Sequence, residues 1–266
     1  MLNIILLFFT VVSLYPLLWM LFSSFKTGKE FAANMLSLPT QLYWENYRKA
    51  IKVTNMGQAA MNSLYVTLFS VVFILLFAFI IAYFINRYRF KGRNLIYGFF
   101  LVGMLVPVYS FLVPVFVMFS KVHMLDNLTA LILPNVAFAL PLSVILMENF
   151  LTGIPLEIEE AAMIDGASQG QRIFHVILPM AKPIISTVFI LELIWIWNEF
   201  PFALTLITDS DLRTLPLTIS NFKGEFDIDF TPLFAALVMA SAPVIAIYFA
   251  FSERIMEGMT AGAVKG

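Results

Sequence analysis

Long apolar stretches alternate with short polar ones along the whole chain. A helix that spans a membrane needs about 20 mostly apolar residues, and stretches of this kind are found near residues 2–22, 64–85, 95–119, 128–150, 184–207 and 233–251. Several contain proline, which we interpret as kinks because neighbouring helices in a bundle re-satisfy the freed carbonyl groups. The pattern predicts one all-α, polytopic membrane domain over residues 1–266 with six transmembrane helices.

The composition supports a membrane protein and excludes several other classes. Of the 266 residues, 61% are hydrophobic and 12% are charged, whereas a soluble domain has about 25% charged residues. The net charge of −1 leaves no basic surplus for binding nucleic acid. Cysteine is absent, which excludes disulfides and thiolate metal sites. No phosphate-binding loop of the type that hydrolyses ATP is present, so we expect neither enzymatic activity nor a cofactor on this chain.

The distribution of basic residues suggests an orientation. The short link Asn86–Arg93 has the sequence NRYRFKGR, with a basic residue at every second position. Lys and Arg are equally numerous on the two sides overall, but short, densely basic loops tend to face the cytoplasm. We therefore expect both termini and the polar passage 153–182 to be cytoplasmic. The first apolar stretch lacks the basic flank and cleavage site of a signal peptide, so we expect it to be a retained helix.

The polar passage 153–182 predicts two short helices joined by a tight turn. Pro155 suits the first turn of a helix, and Gly166 suits the left-handed position that ends one. Ser168 is a good N-cap for the second helix, which we expect to end by Pro179. Acidic residues in the first helix favour its positive end; they are Glu157, Glu159 and Glu160.

The surface of the first short helix suits docking to another protein. Ala161 and Ala162 are small enough for close approach, and apolar anchors are available at Ile158, Met163 and Ile164. A helix of this length is marginal alone and can be stabilised in a groove on a partner. The alternative is a hairpin that lies in the membrane interface.

The fifth apolar stretch contains two carboxylates. Glu192 and Glu199 are seven residues apart and so share a helix face, near Trp195 and Asn198. A charge in mid-membrane costs about 2.5–3.5 kcal/mol on insertion scales, so such residues face the bundle interior or a cavity. One interpretation is a sugar path, with a ring face for stacking and polar groups for hydroxyls. The structural alternative is that Glu199 bonds the kinked backbone near Pro201 while the tryptophans anchor the interface.

Several motifs resemble one family of membrane proteins. The sequence EAAMIDGA, followed by VILP, resembles the EAA loop of permease subunits of ATP-binding-cassette importers. The matching residues are Glu160, Ala161, Ala162, Gly166, Leu178 and Pro179, with Val176 where isoleucine is usual. The segments PLLWMLFSSFK (Pro16–Lys26), WNEF (Trp197–Phe200) and GMTAGAVKG (Gly258–Gly266) resemble the carbohydrate-importing branch, in particular the maltose-type second permease.

This resemblance implies a fold, a role and a set of partners. The fold would be that of a type I importer permease, in the inner membrane of a bacterium. The partners would be a second homologous permease, two cytoplasmic ATPase subunits that hold ATP and magnesium, an external sugar-binding protein, and membrane lipid. The residues implied to couple this chain to the ATPase are Glu160, Ala161, Ala162, Asp165, Gly166, Leu178 and Pro179.

Other functions stay open from the sequence. The EAA-type loop would also fit an importer of another solute, such as a polyamine or a glycerol phosphate. A secondary transporter could use Glu192 and Glu199 as a proton relay. An intramembrane enzyme would need a His-Glu-x-x-His site or a nucleophile–base pair, and the sequence shows neither.

Overall fold

The structure, a computed structural model, describes residues 2–222 and 229–263, and no strand lies within those ranges. The α-helices, in chain order, are α1 (Leu2–Ser23), α2 (Gly28–Ala33), α3 (Glu45–Thr54), α4 (Met56–Arg87), α5 (Arg93–Gly103), α6 (Leu112–Lys121), α7 (Thr129–Thr152), α8 (Leu156–Ile164), α9 (Gln169–Gln171), α10 (Leu178–Met180), α11 (Lys182–Trp197), α12 (Pro201–Leu206), α13 (Leu215–Thr218) and α14 (Phe230–Ala263). Turns of 3₁₀-helix cover Val108–Phe111, Ser210–Leu212 and Ile219–Phe222, and a π-helical turn covers Arg172–Ile177. The last three residues of the carboxyl-terminal motif Gly258–Gly266 lie outside the described residues.

The described chain has four helices long and apolar enough to cross a membrane, or six such segments if each of two bent helix pairs counts as one span. The four helices lie within α1, α4, α7 and α14. The two bent pairs are Arg93–Gly103 with Val108–Lys121 at 92°, and Gln169–Met180 with Lys182–Trp197 at 70°. The segments overlap the six stretches predicted from hydropathy, although the second bent pair begins at Gln169, within the polar passage 153–182, and ends at Trp197 instead of 207. The all-α class is confirmed.

Two of the predicted stretches are interrupted where proline removes a backbone donor. The sequence predicts one helix over 95–119, but α5 ends at Gly103 and the chain turns before Pro107, which is extended (ψ 108°). The stretch 184–207 is also broken, because α11 ends at Trp197 and Pro201 begins α12. Proline fixes φ and restricts the residue before it, so it favours a new helix start at both places.

Contacts divide the chain into two compact units. One comprises Met1–Ser63 with Thr208–Ala246, and the other comprises Leu64–Ile207 with Ile247–Gly266. The first unit contains a buried lysine: Lys26 Nζ donates to Asn34 O at 3.2 Å and to Met35 O at 3.0 Å. The expected single domain over 1–266 stays a prediction.

The second unit is organised around α7, against which α5 and α11 pack. Val144, Met147 and Leu151 on α7 are fully buried. A Cβ added at Gly103, at the end of α5, would lie 3.0 Å from Pro141 Cγ on α7. Glycine therefore permits the close approach of these two helices, since any side chain there would press on the proline ring.

Candidate functional site

The predicted turn of the polar passage is present, and it is a Schellman motif. α8 ends at Ile164 with Asp165 as its C-cap, and Gly166 adopts a left-handed conformation with φ 85°. Gly166 N donates to Met163 O at 3.1 Å, and Ala167 N donates to Ala162 O at 2.9 Å. These two bonds satisfy carbonyl groups that the end of a helix leaves free. The expectation for Gly166 is confirmed, whereas Pro155 is the N-cap rather than a first-turn residue.

The polar passage forms a hairpin, in which α8 is the first arm and Gln169–Met180 is the second arm. The second arm begins with a capping box. Ser168 Oγ accepts from Gln171 N at 3.4 Å, and Gln171 Oε1 accepts from Ser168 N at 2.7 Å. The predicted cap is therefore confirmed, but the predicted end at Pro179 is wrong. The arm continues to Met180, because the π-helical turn widens the ladder just before Pro179: Leu178 N bonds to Ile173 O, five residues back. Pro179 has no N–H to donate, and such turns tolerate a disrupted ladder.

Most motif residues of the hairpin are exposed. Glu160, Ala161, Asp165, Gly166 and Pro179 are exposed, while Ala162 and Leu178 are half-buried. Two of the predicted anchors, Met163 and Ile164, are exposed, the latter to 84%. Phe174 on the second arm is exposed as well and was not anticipated from the sequence.

An ion pair buried within the second unit joins α8 to the end of α4. Arg87 Nε lies 2.5 Å from Glu159 Oε1, in a close approach rather than an aligned hydrogen bond. The two side chains are 8% and 5% exposed. Tyr83 Oη donates to Glu159 Oε2 at 2.8 Å, and Arg87 Nη2 donates to Ile154 O at 3.0 Å. Both oxygens of the carboxylate are therefore engaged by α4.

The residue beside Arg87 attaches α4 to the end of α7. Asn86 Nδ2 donates to Glu148 Oε1 at 3.1 Å and to Thr152 Oγ1 at 2.6 Å. Thr152 Oγ1 in turn donates to Glu148 O at 3.0 Å, one turn back in α7. The last two residues of α4 thus contact both sides of the connection between α7 and α8.

These contacts were not predicted from the sequence, from which Glu159 was interpreted only as a charge favoured near a helix N-terminus. One signal was available: Arg87 follows directly on a long apolar stretch, and a cation in that position is expected to have a partner. Candidates on the same predicted side of the membrane included Glu148 and the acidic residues of the passage 157–160. No pattern in the sequence singled out Glu159 among its neighbours.

The two carboxylates of the fifth apolar stretch have different roles, and α11 ends between them. Glu192 is buried, and its Oε1 accepts from Ser143 Oγ on α7 at 3.0 Å. Glu199 lies beyond the end of α11, where Oε1 accepts from Phe202 N at 2.6 Å and Oε2 accepts from Ala203 N at 3.1 Å. It therefore satisfies the first free N–H groups of α12. This geometry corresponds to the structural alternative. The assumption of one continuous helix face was wrong.

A cavity lies beside the break between α11 and α12. Its volume is about 470 Å³. The lining residues are Tyr109, Leu191, Ile194, Trp195, Asn198 and Glu199. Trp195 is 53% exposed and Tyr109 is also exposed, so aromatic surface is available together with the amide of Asn198, whose Nδ2 donates to Ile194 O at 2.8 Å. Three of the four predicted path residues line this cavity, and Glu192 does not.

Sequence comparisons place the chain among transport proteins. The model of the family described as "binding-protein-dependent transport system inner membrane component" matches residues 74–260. The diacetylchitobiose uptake system permease protein of Streptomyces coelicolor is 35% identical over 98% of this chain and 87% of its own. The sulfoquinovosyl glycerol transport system permease protein of Agrobacterium fabrum is 34% identical over 96% of this chain and 90% of its own.

The fold is shared with a solved transporter. A chain in the crystal structure of a bacterial ABC transporter involved in the import of the acidic polysaccharide alginate matches with a TM-score of 0.81. The match covers 94% of both chains at 24% sequence identity. The type I importer permease fold implied by the motifs is therefore confirmed.

Proposed function

The chain belongs to the family of binding-protein-dependent transport system inner membrane components, and from this premise we propose that it is a permease subunit of an ATP-driven sugar importer. The observation that carries the proposal is the similarity, along nearly the whole chain, to permeases of carbohydrate uptake systems. A second, homologous permease would supply the other half of the translocation path. An external sugar-binding protein would deliver the solute.

The hairpin formed by α8, its turn and the second arm would couple this chain to a cytoplasmic ATPase. The ATPase would bind ATP and magnesium, and its closure would push on the hairpin and change the access of the transport path. Support comes from the exposed apolar side chains of Met163, Ile164 and Phe174, which suit a groove on another protein. The small side chain of Ala161 between exposed neighbours allows close approach. Glu160 and Asp165, both exposed, are placed to pair with polar groups of the ATPase.

The cavity beside α11 would be this chain's contribution to the sugar path. Trp195 and Tyr109 offer ring faces, and Asn198 Oδ1 is an acceptor for a hydroxyl group. Glu199 would act by fixing the backbone at the cavity wall, since its oxygens accept two backbone N–H groups. Glu192 would connect α11 to α7 through Ser143 rather than contact the sugar.

The proposed orientation places both termini, the basic link Asn86–Arg93 and the hairpin in the cytoplasm. This arrangement is required if the hairpin is to meet an ATPase. It also follows the tendency of densely basic short loops to stay inside.

The test of the proposal is a solute panel in cells with and without this gene. The labelled solutes are maltotriose, diacetylchitobiose, putrescine and glycerol 3-phosphate. We expect the deletion to abolish uptake of a sugar and to leave putrescine and glycerol 3-phosphate unaffected. Loss of putrescine or glycerol 3-phosphate uptake with intact sugar uptake would refute the sugar assignment.

The energy source is tested in proteoliposomes that contain the complex purified through a tag on this chain. We expect sugar uptake to require ATP and the binding protein, and to persist when a protonophore dissipates the proton gradient. Uptake by the chain alone, driven by a proton gradient, would instead establish a secondary transporter.

The coupling contact is tested by cross-linking from introduced cysteines. Because this chain has no cysteine of its own, each introduced cysteine is the single one on the chain. Cysteines at Ala161 or Asp165 should cross-link to the ATPase in the assembled complex. A cysteine at Tyr109, in the cavity, is the matched control and should not. Cross-linking of neither hairpin position would contradict the proposed docking.

A further inference from the structure

Besides its two chain connections, to α7 and to α11, the hairpin is held against α4 by one buried cluster of polar contacts. We propose that Arg87 and Glu159 are positioning residues of the transport cycle, which fasten α8 to the end of α4 so that the two move as one body. This inference rests on the proposed coupling function of the hairpin. It concerns a residue, Arg87, that lies outside the hairpin motif.

The need for such an attachment follows from the connection between α7 and α8. Only Gly153, Ile154 and Pro155 separate the two helices, and glycine restrains the backbone weakly. A push on α8 is resisted at its far end by the second arm, which packs on α8 and continues into α11, but near the connection to α7 a second point of α8 itself must be held. Glu159 is that second point, because its carboxylate lies against the last turns of α4.

The contacts together form a closed triangle of three helices. Arg87 holds α8 through Glu159 and holds the connection through Ile154 O. Asn86 holds the end of α7 through Glu148 and Thr152. A displacement of α8 relative to α4 or α7 would therefore break several polar contacts at once.

The choice of a buried charge pair makes this attachment stiff. Apolar side chains can slide past one another at little cost, because the contact is not directional. A buried carboxylate separated from its cation leaves an unpaired charge, which is strongly unfavourable. The hydrogen bond from Tyr83 holds the second oxygen and so limits rotation of the carboxylate. The pair consequently transmits a force instead of yielding to it.

The experiment measures how much sugar is transported for each ATP hydrolysed. The full importer is reconstituted in proteoliposomes with labelled maltotriose or labelled diacetylchitobiose, whichever the wild type takes up. The variants are Glu159→Gln, Arg87→Met and the double variant. Glu157→Gln is the matched control, since it removes the same charge from an exposed position of α8.

We expect each single variant to lower the ratio of sugar to ATP at least about tenfold, because it leaves a buried charge unpaired. The double variant should be no worse than either single one, since the two residues act as a unit. The Glu157→Gln control should keep the wild-type ratio. Tyr83→Phe keeps the ring and removes one hydrogen bond, so it provides a milder variant that assembles if the others do not, and its ratio should fall less.

A merely structural role gives a different result. Variants that only destabilise the protein reduce the amount of assembled complex and leave the ratio of sugar to ATP unchanged. An unchanged ratio in the assembled Arg87, Glu159 and Tyr83 variants, or an equal fall in the Glu157 control, would overturn the inference. A wild-type complex without ATP-dependent uptake would instead refute the proposed function, so the two failures are distinguishable.

Discussion

Replacement of Gly166 tests whether the shape of the hairpin matters for transport. Gly166 has φ 85°, where an L-residue with a side chain is strained by about 1–2 kcal/mol. A Cβ placed there meets no atom within 4 Å, so the penalty comes from the backbone alone. At 25 °C it corresponds to a roughly 5- to 30-fold loss in the population of the observed turn.

The predicted order of effects follows from how each residue tolerates a left-handed conformation. Asparagine enters this region at low cost, alanine at a higher one, and a β-branched residue is a genuine outlier there. Sugar uptake should therefore decrease from Gly166→Asn to Gly166→Ala to Gly166→Val, while the amount of the subunit in the membrane stays constant.

The assay is initial uptake of the labelled sugar in whole cells, normalised to the amount of subunit in isolated membranes. Gly170→Val is the matched control, because Gly170 also has open space around it but does not have positive φ. Equal uptake by Gly166→Asn and Gly166→Val would refute the reasoning. So would a loss in Gly170→Val as large as that in Gly166→Val.

Three further predictions concern other parts of the chain. Trp195→Ala and Asn198→Ala should raise the KM for sugar uptake. The loss of one hydrogen bond at Asn198 costs about 0.5–1.5 kcal/mol, which corresponds to a roughly 2- to 13-fold increase in KM. An unchanged KM in both variants would favour a purely structural cavity. Glu199→Ala should lower the free energy of unfolding of the purified subunit by about 2–6 kcal/mol, because two buried N–H groups each lose an acceptor at a cost of about 1–3 kcal/mol. An unchanged melting temperature in scanning fluorimetry would contradict the capping role. The hydrogen bond from Thr40 N holds the pKa of Glu30 below its ordinary 4.5. The stabilising effect of this hydrogen bond should therefore be present above pH 4.5 and lost as the pH falls through the lowered pKa. A difference in Tm between wild type and Glu30→Gln that does not shrink on acidification would contradict this prediction.

Features set by local chemistry could be predicted from the sequence. The turn at Gly166 and the cap at Ser168 depend on the backbone preferences of single residues and on bonds within three to five positions of them. The six apolar stretches were recognisable because hydropathy is itself the property that selects membrane segments.

Features set by tertiary contacts could not be predicted in the same way. Tyr83 and Glu159 are 76 positions apart, and no spacing rule pairs them. The end of α11 at Trp197 was missed because the break is short and the chain becomes apolar again in α12, so the stretch was taken as one helix. As a result, Glu192 and Glu199 were placed on one face, although only Glu192 belongs to α11.

The turn at Gly166 satisfies its own polar groups, and this has a consequence for how such a subunit can change over time. Its bonds run between Ala161 and Gln171 and use no other part of the protein. The shape of the turn is thus set by local hydrogen bonds, and the rest of the molecule serves to anchor the hairpin. In evolution, the hairpin could therefore be replaced by one that fits a different partner protein, provided that a carboxylate remains in place to pair with Arg87.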